Sequence, residues 1–259
     1  MSIERTSDAE TKIEVRDLHV WFGKRHAVRN VAFAVAEKKT VSFIGASGSG
    51  RSSLLRALNR LHDLDANARV EGSIKIDGAQ ILGPLVDVAA LRRRVGMIFG
   101  QPATLPLSAF ENVVFGMRAS GIRDRAQLDA ACERALRRVM LWEPIASSLG
   151  QSALSLPLDW QQRLCIARAL AVEPEILLFD DPAVRLDPVA AQMLDDIIGR
   201  LRRDFTILLA TNDLHQAARL SDITFYLVDG EIVETGETMS VFNRPTDART
   251  EDFLAGRAW

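Results

Sequence analysis

Gly45-Ala46-Ser47-Gly48-Ser49-Gly50-Arg51-Ser52-Ser53 follows the spacing GxxxxGK[ST] at every position but one, where Arg51 stands for lysine. In that pattern the glycines let main-chain N–H groups turn inward around phosphate oxygens, and a helix starting there adds the positive end of its dipole. The setting suits that chemistry. Thr40 to Ile44 is a short apolar run entering the loop, and Ser52 to Leu61 carries Leu54, Leu55, Leu58 and Leu61 at helical spacing. The other reading is a glycine-rich strand-to-helix turn that binds nothing. Arg51 is not a neutral exchange, because a planar forked guanidinium is bulkier than an ammonium and cannot sit identically between phosphates. A phosphate ligand is therefore expected to bind more weakly, or in a shifted pose.

The elements that must position this loop are legible from periodicity. Ile13 to Phe22 and Val28 to Val35 alternate apolar and polar positions around Gly23-Lys24-Arg25, as a hairpin does, and Glu71 to Leu82 reads as another hairpin turning at Asp77-Gly78. Leu128 to Trp142 has helical spacing. Ile176 to Phe179 and Thr206 to Ala210 are buried-strand candidates, each entered from a helix-like stretch, which is the rhythm of a parallel sheet. Ile223 to Val228, Asp229-Gly230 and Glu231 to Thr235 form a terminal hairpin, with a last helix from about Met239. A polar tail of roughly ten residues precedes all of this.

With 259 residues and 47% hydrophobic side chains the chain can bury the core of one large α/β domain or two small ones. A net charge of -2 gives no reason to propose a polyanion, so nucleic acid is not favoured. Cys132 and Cys165 lack CxxC or CxxH spacing, so reduced thiols are expected rather than disulfides or zinc. The start MSIERTSDAETKIE has no apolar core of a leader, and no later run reaches the about 20 apolar residues of a membrane span. Any membrane contact is expected to be peripheral.

The chain resembles the ATP-binding subunits of ABC importers, most closely those of bacterial phosphate uptake systems. The resemblance is carried by Trp21-Phe22-Gly23, GASGSGRSSLLRALNRLHDL, RRRVGMIF, PLSAFENVVFG, QQRLCIARALAVEPEILLFDDP, LDP, QAARLSD and TEDFLAGR, which together span nearly the whole length. It implies a single nucleotide-binding domain over residues 1–259, an α/β P-loop NTPase core of ABC ATPase type. An antiparallel β subdomain would occupy about 12–35 and 70–82, and an α-helical subdomain about 106–160. It further implies ATP and Mg²⁺ as ligands, transmembrane permease subunits as partners, and a cytoplasmic place on the inner face of the membrane. Such cassettes dimerise head to tail, as homodimers or with another cassette, each ATP lying between the P-loop of one protomer and the signature motif of the other.

Residue by residue the resemblance is uneven. Phe22 matches an aromatic that stacks on adenine, or is a core aromatic in a strand. Asp180 matches the carboxylate that holds Mg²⁺ together with the Ser52 hydroxyl, through the oxygen ligands hard cations prefer; a buried structural carboxylate is the alternative. The next position should be a glutamate polarising water. Asp181 would withdraw that carboxylate by about 1.5 Å, a large loss for general-base geometry, or would cap the following turn. The family's glutamine after RRRVGMIF is Gly100, with Gln101 one place later as a substitute only if the loop bulges. Asn212 replaces the switch histidine and cannot carry its charge or shuttle a proton; His215, three residues on, is read as a solvated helix residue.

At the signature position, where LSGGQ should precede QQRLCIARAL, stand Leu156-Pro157-Leu158-Asp159-Trp160. Pro157 removes a donor, the larger side chains fill space that small residues leave open, and Asp159 is expected to add negative charge facing phosphate. Asp187 is retained after Val184, Arg185 and Leu186, with Arg185 where a small residue is usual. These positions point to a cassette subunit that binds nucleotide at most, with hydrolysis lost or strongly impaired. The alternatives are an active ATPase energising phosphate import and an interaction or regulatory module outside transport.

Overall fold

A computed structural model describes residues 11–257, so the polar tail lies outside the described residues. β1 (Thr11–Phe22) and β2 (Arg25–Ala36) pair antiparallel. β4 (Ala68–Ile76) adds to the other edge of β1, and β5 (Ala79–Gln80) returns across Asp77-Gly78, giving the order β2-β1-β4-β5. The alternation of buried residues is interrupted once in β1, where Asp17 takes φ 46 and the register shifts between Val15 and Leu18. That bulge carries Leu18, rather than Asp17, into the core.

The second sheet contains β3 (Thr40–Ile44), β6 (Val95–Phe99), β7 (Ile176–Asp180), β8 (Thr206–Ala210), β9 (Ile223–Val228) and β10 (Glu231–Glu237), in the order β10-β9-β3-β8-β7-β6. All neighbours pair parallel except β9 with β10. Its central strands are buried throughout and mostly apolar because both faces are covered. On one face α1 (Arg51–Leu58) and the antiparallel sheet pack Leu54, Leu55, Leu58, Val20 and Phe33 against Val41, Phe43, Leu178 and Leu208. On the other face lie α3 (Ala109–Ala119), α4 (Arg125–Arg138), α6 (Leu158–Leu170) and α7 (Pro188–Leu201), packed on Leu177, Phe179, Ile207 and Leu209. The fold is thus the α/β class expected, with an antiparallel layer and a helical layer around a parallel core.

α2 (Val88–Arg94) leads into β6, α5 (Trp142–Ile145) follows α4, and α8 (Leu214–Leu220) follows β8. Helix starts are written locally: Ser108, Asp124, Asp187 and Asp213 each accept from main-chain N–H groups of the turn they open. Helix ends are less legible. The stretch Leu128 to Trp142 breaks after Arg138, where Met140 adopts φ 53, and the last helix divides into α9 (Thr238–Asn243) and α10 (Ala248–Leu254) around Pro245, which cannot continue one. Among the described residues no helix is long and apolar enough to cross a membrane.

Glu175, entering β7, ties the layers together. Its carboxylate accepts from Lys12 Nζ at 2.5 Å and Arg94 Nε at 2.7 Å, and Asp77 binds the same two cations. Hydrogen bonding from Arg94, then Lys12, against the cost of burial, holds the Glu175 carboxyl down to about 2 from an ordinary 4.5. A depressed carboxyl stabilises fully above its unfolded value and loses that contribution as pH falls through the folded one. Denaturant melts of wild type and Glu175→Gln should therefore differ most above pH 4.5 and converge toward pH 2, with the difference reduced by solvent since Glu175 is 40% exposed. A difference independent of pH would show that the ion cluster does not contribute.

Candidate functional site

The loops that follow β3, β6, β7 and β8 meet at the carboxyl edge of the parallel sheet, where open α/β sheets bind ligands. Gly45 to Gly50 crosses from β3 to α1. Gly50 has φ 107, and a Cβ there would lie 2.3 Å from the Ala27 carbonyl oxygen, so only glycine lets the loop lie against β2. The loop is braced from outside: Gly230 N–H donates to Ser49 O at 2.9 Å, and Arg25 Nη2 donates to Gly48 O at 2.9 Å. Ser47 and Gly48 are exposed at the rim, while Ser49 is buried and Ser52 and Ser53 are half-buried. Ser49 Oγ is buried without a hydrogen-bond partner within the chain. An orphan hydroxyl at a turn of this shape suits a phosphate oxygen.

Arg51 turns inward. It is 6% exposed, with Nη2 3.6 Å from Asp181 Oδ2 and Nη1 buried and unpartnered. Burial pushes the guanidinium below its ordinary value, and Asp181 and then Asp180 push it back. Asp180, ending β7, accepts from Ser52 Oγ at 2.7 Å; burial raises its carboxyl, with the Ser52 hydroxyl opposing. The structure thus brings together the two residues expected at a metal, a hydroxyl and a carboxylate in contact at the foot of α1. Their oxygen donors fit Mg²⁺.

Asp181 makes contacts through its main chain and through both carboxylate oxygens. Its backbone takes φ 46, its N–H donates to Ala210 O at 2.8 Å, and its Oδ1 accepts from the Asn212 N–H at 3.1 Å while Oδ2 faces Arg51. One carboxylate therefore links the loops after β3, β7 and β8. The sequence motifs place Arg51 and Asp181 in the site separately and do not reveal that they meet. Asn212 reaches Asp181 by its main chain, its side chain being exposed; His215 is an exposed residue at the start of α8.

Gly100 is not a position merely emptied of glutamine. A Cβ there would lie 2.4 Å from the Asp181 carbonyl oxygen and 2.7 Å from Val184 Cγ1, so the loop after β7 already occupies that space. Gln101 is exposed. A glutamine that the motifs do not single out, Gln162 in α6, is fully buried and donates through Nε2 to Phe99 O at 2.8 Å and Pro182 O at 3.0 Å. It fastens α6 to the loops after β6 and β7. The only signal in the sequence is its place inside QQRLCIARAL.

The residues Leu156 to Trp160 belong to the helical layer. Leu156 is buried, Pro157 caps α6 without a side-chain bond, Leu158 is 41% exposed and Trp160 packs on the helical core. Asp159, where a negative charge facing phosphate is expected, has its Oδ2 accepting from Arg163 Nη2 at 2.9 Å one turn along the same helix. Asp187 accepts from the N–H groups of Val189 and Ala190 at 2.9 and 3.0 Å and so caps α7, with Arg185 exposed beside it. Phe22 is half-buried against the core under the antiparallel sheet.

Residues 28–184 match the sequence model of the family described as ABC transporter. The phosphate import ATP-binding protein PstB 3 of Streptococcus pneumoniae is 43% identical over 243 residues, covering 94% of this chain and 97% of the relative. Among solved structures, cbiO1 from Clostridium perfringens, part of the ABC transporter complex cbiONQ, superposes with a TM-score of 0.79 at 21% identity, over 96% of this chain and 97% of that one. A dimeric ATP-binding cassette in a post-hydrolysis state bound to ADP and Pi gives 0.75 at 26% identity, over 87% and 98%. The first of these structural likenesses speaks to fold alone.

The close approach at Gly100 has a measurable cost. Gly100→Gln, the change toward the family pattern, should destabilise the protein by about 1–3 kcal/mol in urea unfolding, as overpacking does. A neutral or stabilising result would mean that the loop after β7 does not fill that space.

Proposed function

This chain belongs to the ABC transporter family as an ATP-binding subunit resembling phosphate importer PstB, and from that premise we propose that it binds nucleotide while hydrolysis is lost or strongly impaired. The loop Gly45 to Ser53 receives the phosphates, with Phe22 against the base, and Ser52 and Asp180 would hold Mg²⁺. When bound, that ion neutralises phosphate charge beside the Asp180 carboxylate. The observation that carries the loss of turnover is the engagement of Asp181. With one oxygen accepting from the Asn212 N–H and the other facing Arg51, its carboxylate is committed to the framework and is a poor base toward water.

The partner in this reading is the permease of an importer, phosphate being the solute by resemblance, and the subunit lies at the inner face of the membrane through that contact. A cleft of about 340 Å³ between α2, α3 and α6, lined by Arg92, Arg93 and Arg168 around half-exposed Phe115, supports docking of an acidic amphipathic segment. Dimerisation with a second cassette carrying an intact signature would complete one composite site that Leu156 to Trp160 do not complete alone.

Calorimetry with MgATP should give measurable binding, and turnover with and without permease should fall well below about 1 s⁻¹, the low end of ordinary enzymes. Turnover at or above that rate would end the proposal. Arg51→Lys alone should not restore activity, because Asp181, Gly100 and the signature position remain unchanged; recovery from that single substitution would contradict the assignment of the defect to several positions.

A further inference from the structure

We propose that the His19–His26 pair, stacked on Trp21, is a pH-sensitive latch that holds the β1–β2 hairpin against the phosphate loop and releases it on acidification. The latch stands on the geometry of the free chain; its effect on a nucleotide rests on the reading above.

Leu18 and Val20 are buried in the core, so His19 and Trp21 lie on the outer face of the antiparallel sheet. His26, opposite Trp21 in β2, brings its Nε2 to 3.1 Å from His19 Nδ1. The Asn30 N–H also donates to that Nδ1, at 3.3 Å, so His19 Nδ1 is the acceptor and His26 Nε2–H the donor. Trp21 lies 12° from the plane of His19 and 15° from that of His26, with ring centroids 5.4 and 4.4 Å away. The Arg69 guanidinium of β4 sits 4.0 Å from the Trp21 centroid, so three strands contribute to one stack.

A second proton has no good place on this pair. On His19 Nδ1 it would face two N–H donors. On His26 it would create a cation beside Arg29 of β2 and Arg69 of β4, and the carboxylate opposite His19, Glu71, already pairs with Arg69 at 3.5 Å. Burial first, then His19 and Arg29, with Arg69 behind them, hold the His26 imidazole below its ordinary 6.5, the Val28 main chain opposing. A histidine held low in the folded chain stabilises fully above 6.5 and loses that contribution as pH falls through the folded value.

The residues on either side of His26 both touch the phosphate loop. Arg25 Nη2 donates to Gly48 O at 2.9 Å, and the Ala27 carbonyl oxygen lies against Gly50, only 2.3 Å from where a Cβ would stand. Loosening the His26 end of β2 therefore frees the outer brace of the loop.

The test compares wild type with His19→Asn/His26→Gln, in which an amide oxygen and an amide N–H replace the acceptor and donor but take up no proton. His26→Gln alone is a second variant, and thermal melts at about pH 7.5, where histidine is ordinarily neutral, check that each is folded. Hydrogen exchange of the amides from Ser49 to Ser53 should match in all three proteins at that pH. At about pH 5.5 it should be about threefold faster in wild type than in the variants, the scale of losing one hydrogen bond. Equal exchange at both pH values would overturn the latch, whether or not ADP binds. Calorimetry with ADP should show wild type losing about threefold more affinity than the variants over the same interval, a comparison in which titration of ADP and of His62 cancels. Bound ADP should in turn move the His26 ring titration, followed by NMR, to lower pH. A merely structural pair would leave that titration where it is. Faster exchange in wild type together with no ADP binding by any of the proteins would remove the nucleotide reading and leave the latch.

Discussion

A guanidinium taken out of water must find negative charge nearby, and in this protein that requirement fixes the geometry of the whole site. Arg51 is almost wholly buried, and the carboxylates that balance it come from the end of β7. Removing one partner of such an arrangement leaves an uncompensated charge in a poorly solvated place, which is far more costly than the pair is favourable. Asp181 meets that demand only because its other oxygen and its main chain are tied to the loop after β8. Three segments distant in sequence therefore hold one another in position through a single carboxylate.

The surrounding framework is built to allow this convergence. Parallel strands covered on both faces bring their carboxyl ends to one edge, and the loops there pack closely enough that glycine is needed at Gly50 and Gly100 for different reasons. Gly50 needs both a positive φ and freedom from a Cβ against Ala27, while Gly100 has an ordinary backbone and simply faces the Asp181 carbonyl. Gln162 extends the same tie to α6, since its amide bridges the ends of β6 and β7. The helical layer and the phosphate loop are thus mechanically connected through main-chain carbonyls, whatever the side chains at the start of α6.

The site divides by what its groups are free to do. Ser49 Oγ is an unpartnered buried hydroxyl, and Ser52 with Asp180 presents hard oxygens at the foot of α1, so the part that would hold phosphate and metal retains unused capacity. The part that would handle water has little. Asp181 is engaged, Gly100 has no room for a longer side chain, and Asp159 is paired with Arg163 within its own helix.

Much of this is legible in the order of the residues alone. Glycine spacing and apolar strand runs are local properties, since they depend on backbone dihedrals and on which face a neighbouring side chain covers; they yield the α/β class, the phosphate loop and Asp180. Helix ends at Met140 and Pro245 are harder to read because several endings satisfy the same periodicity. What only the tertiary structure decided were relations between loops far apart in the chain. Arg51 and Asp181 lie 130 positions apart, and no pattern in either segment states that one turns toward the other. The closed space at Gly100 likewise belongs to the loop after β7, and the buried bridge at Gln162 to three elements at once. Such contacts are set by how the sheet stacks its loop ends together, and that is a property of packing rather than of any local run of residues.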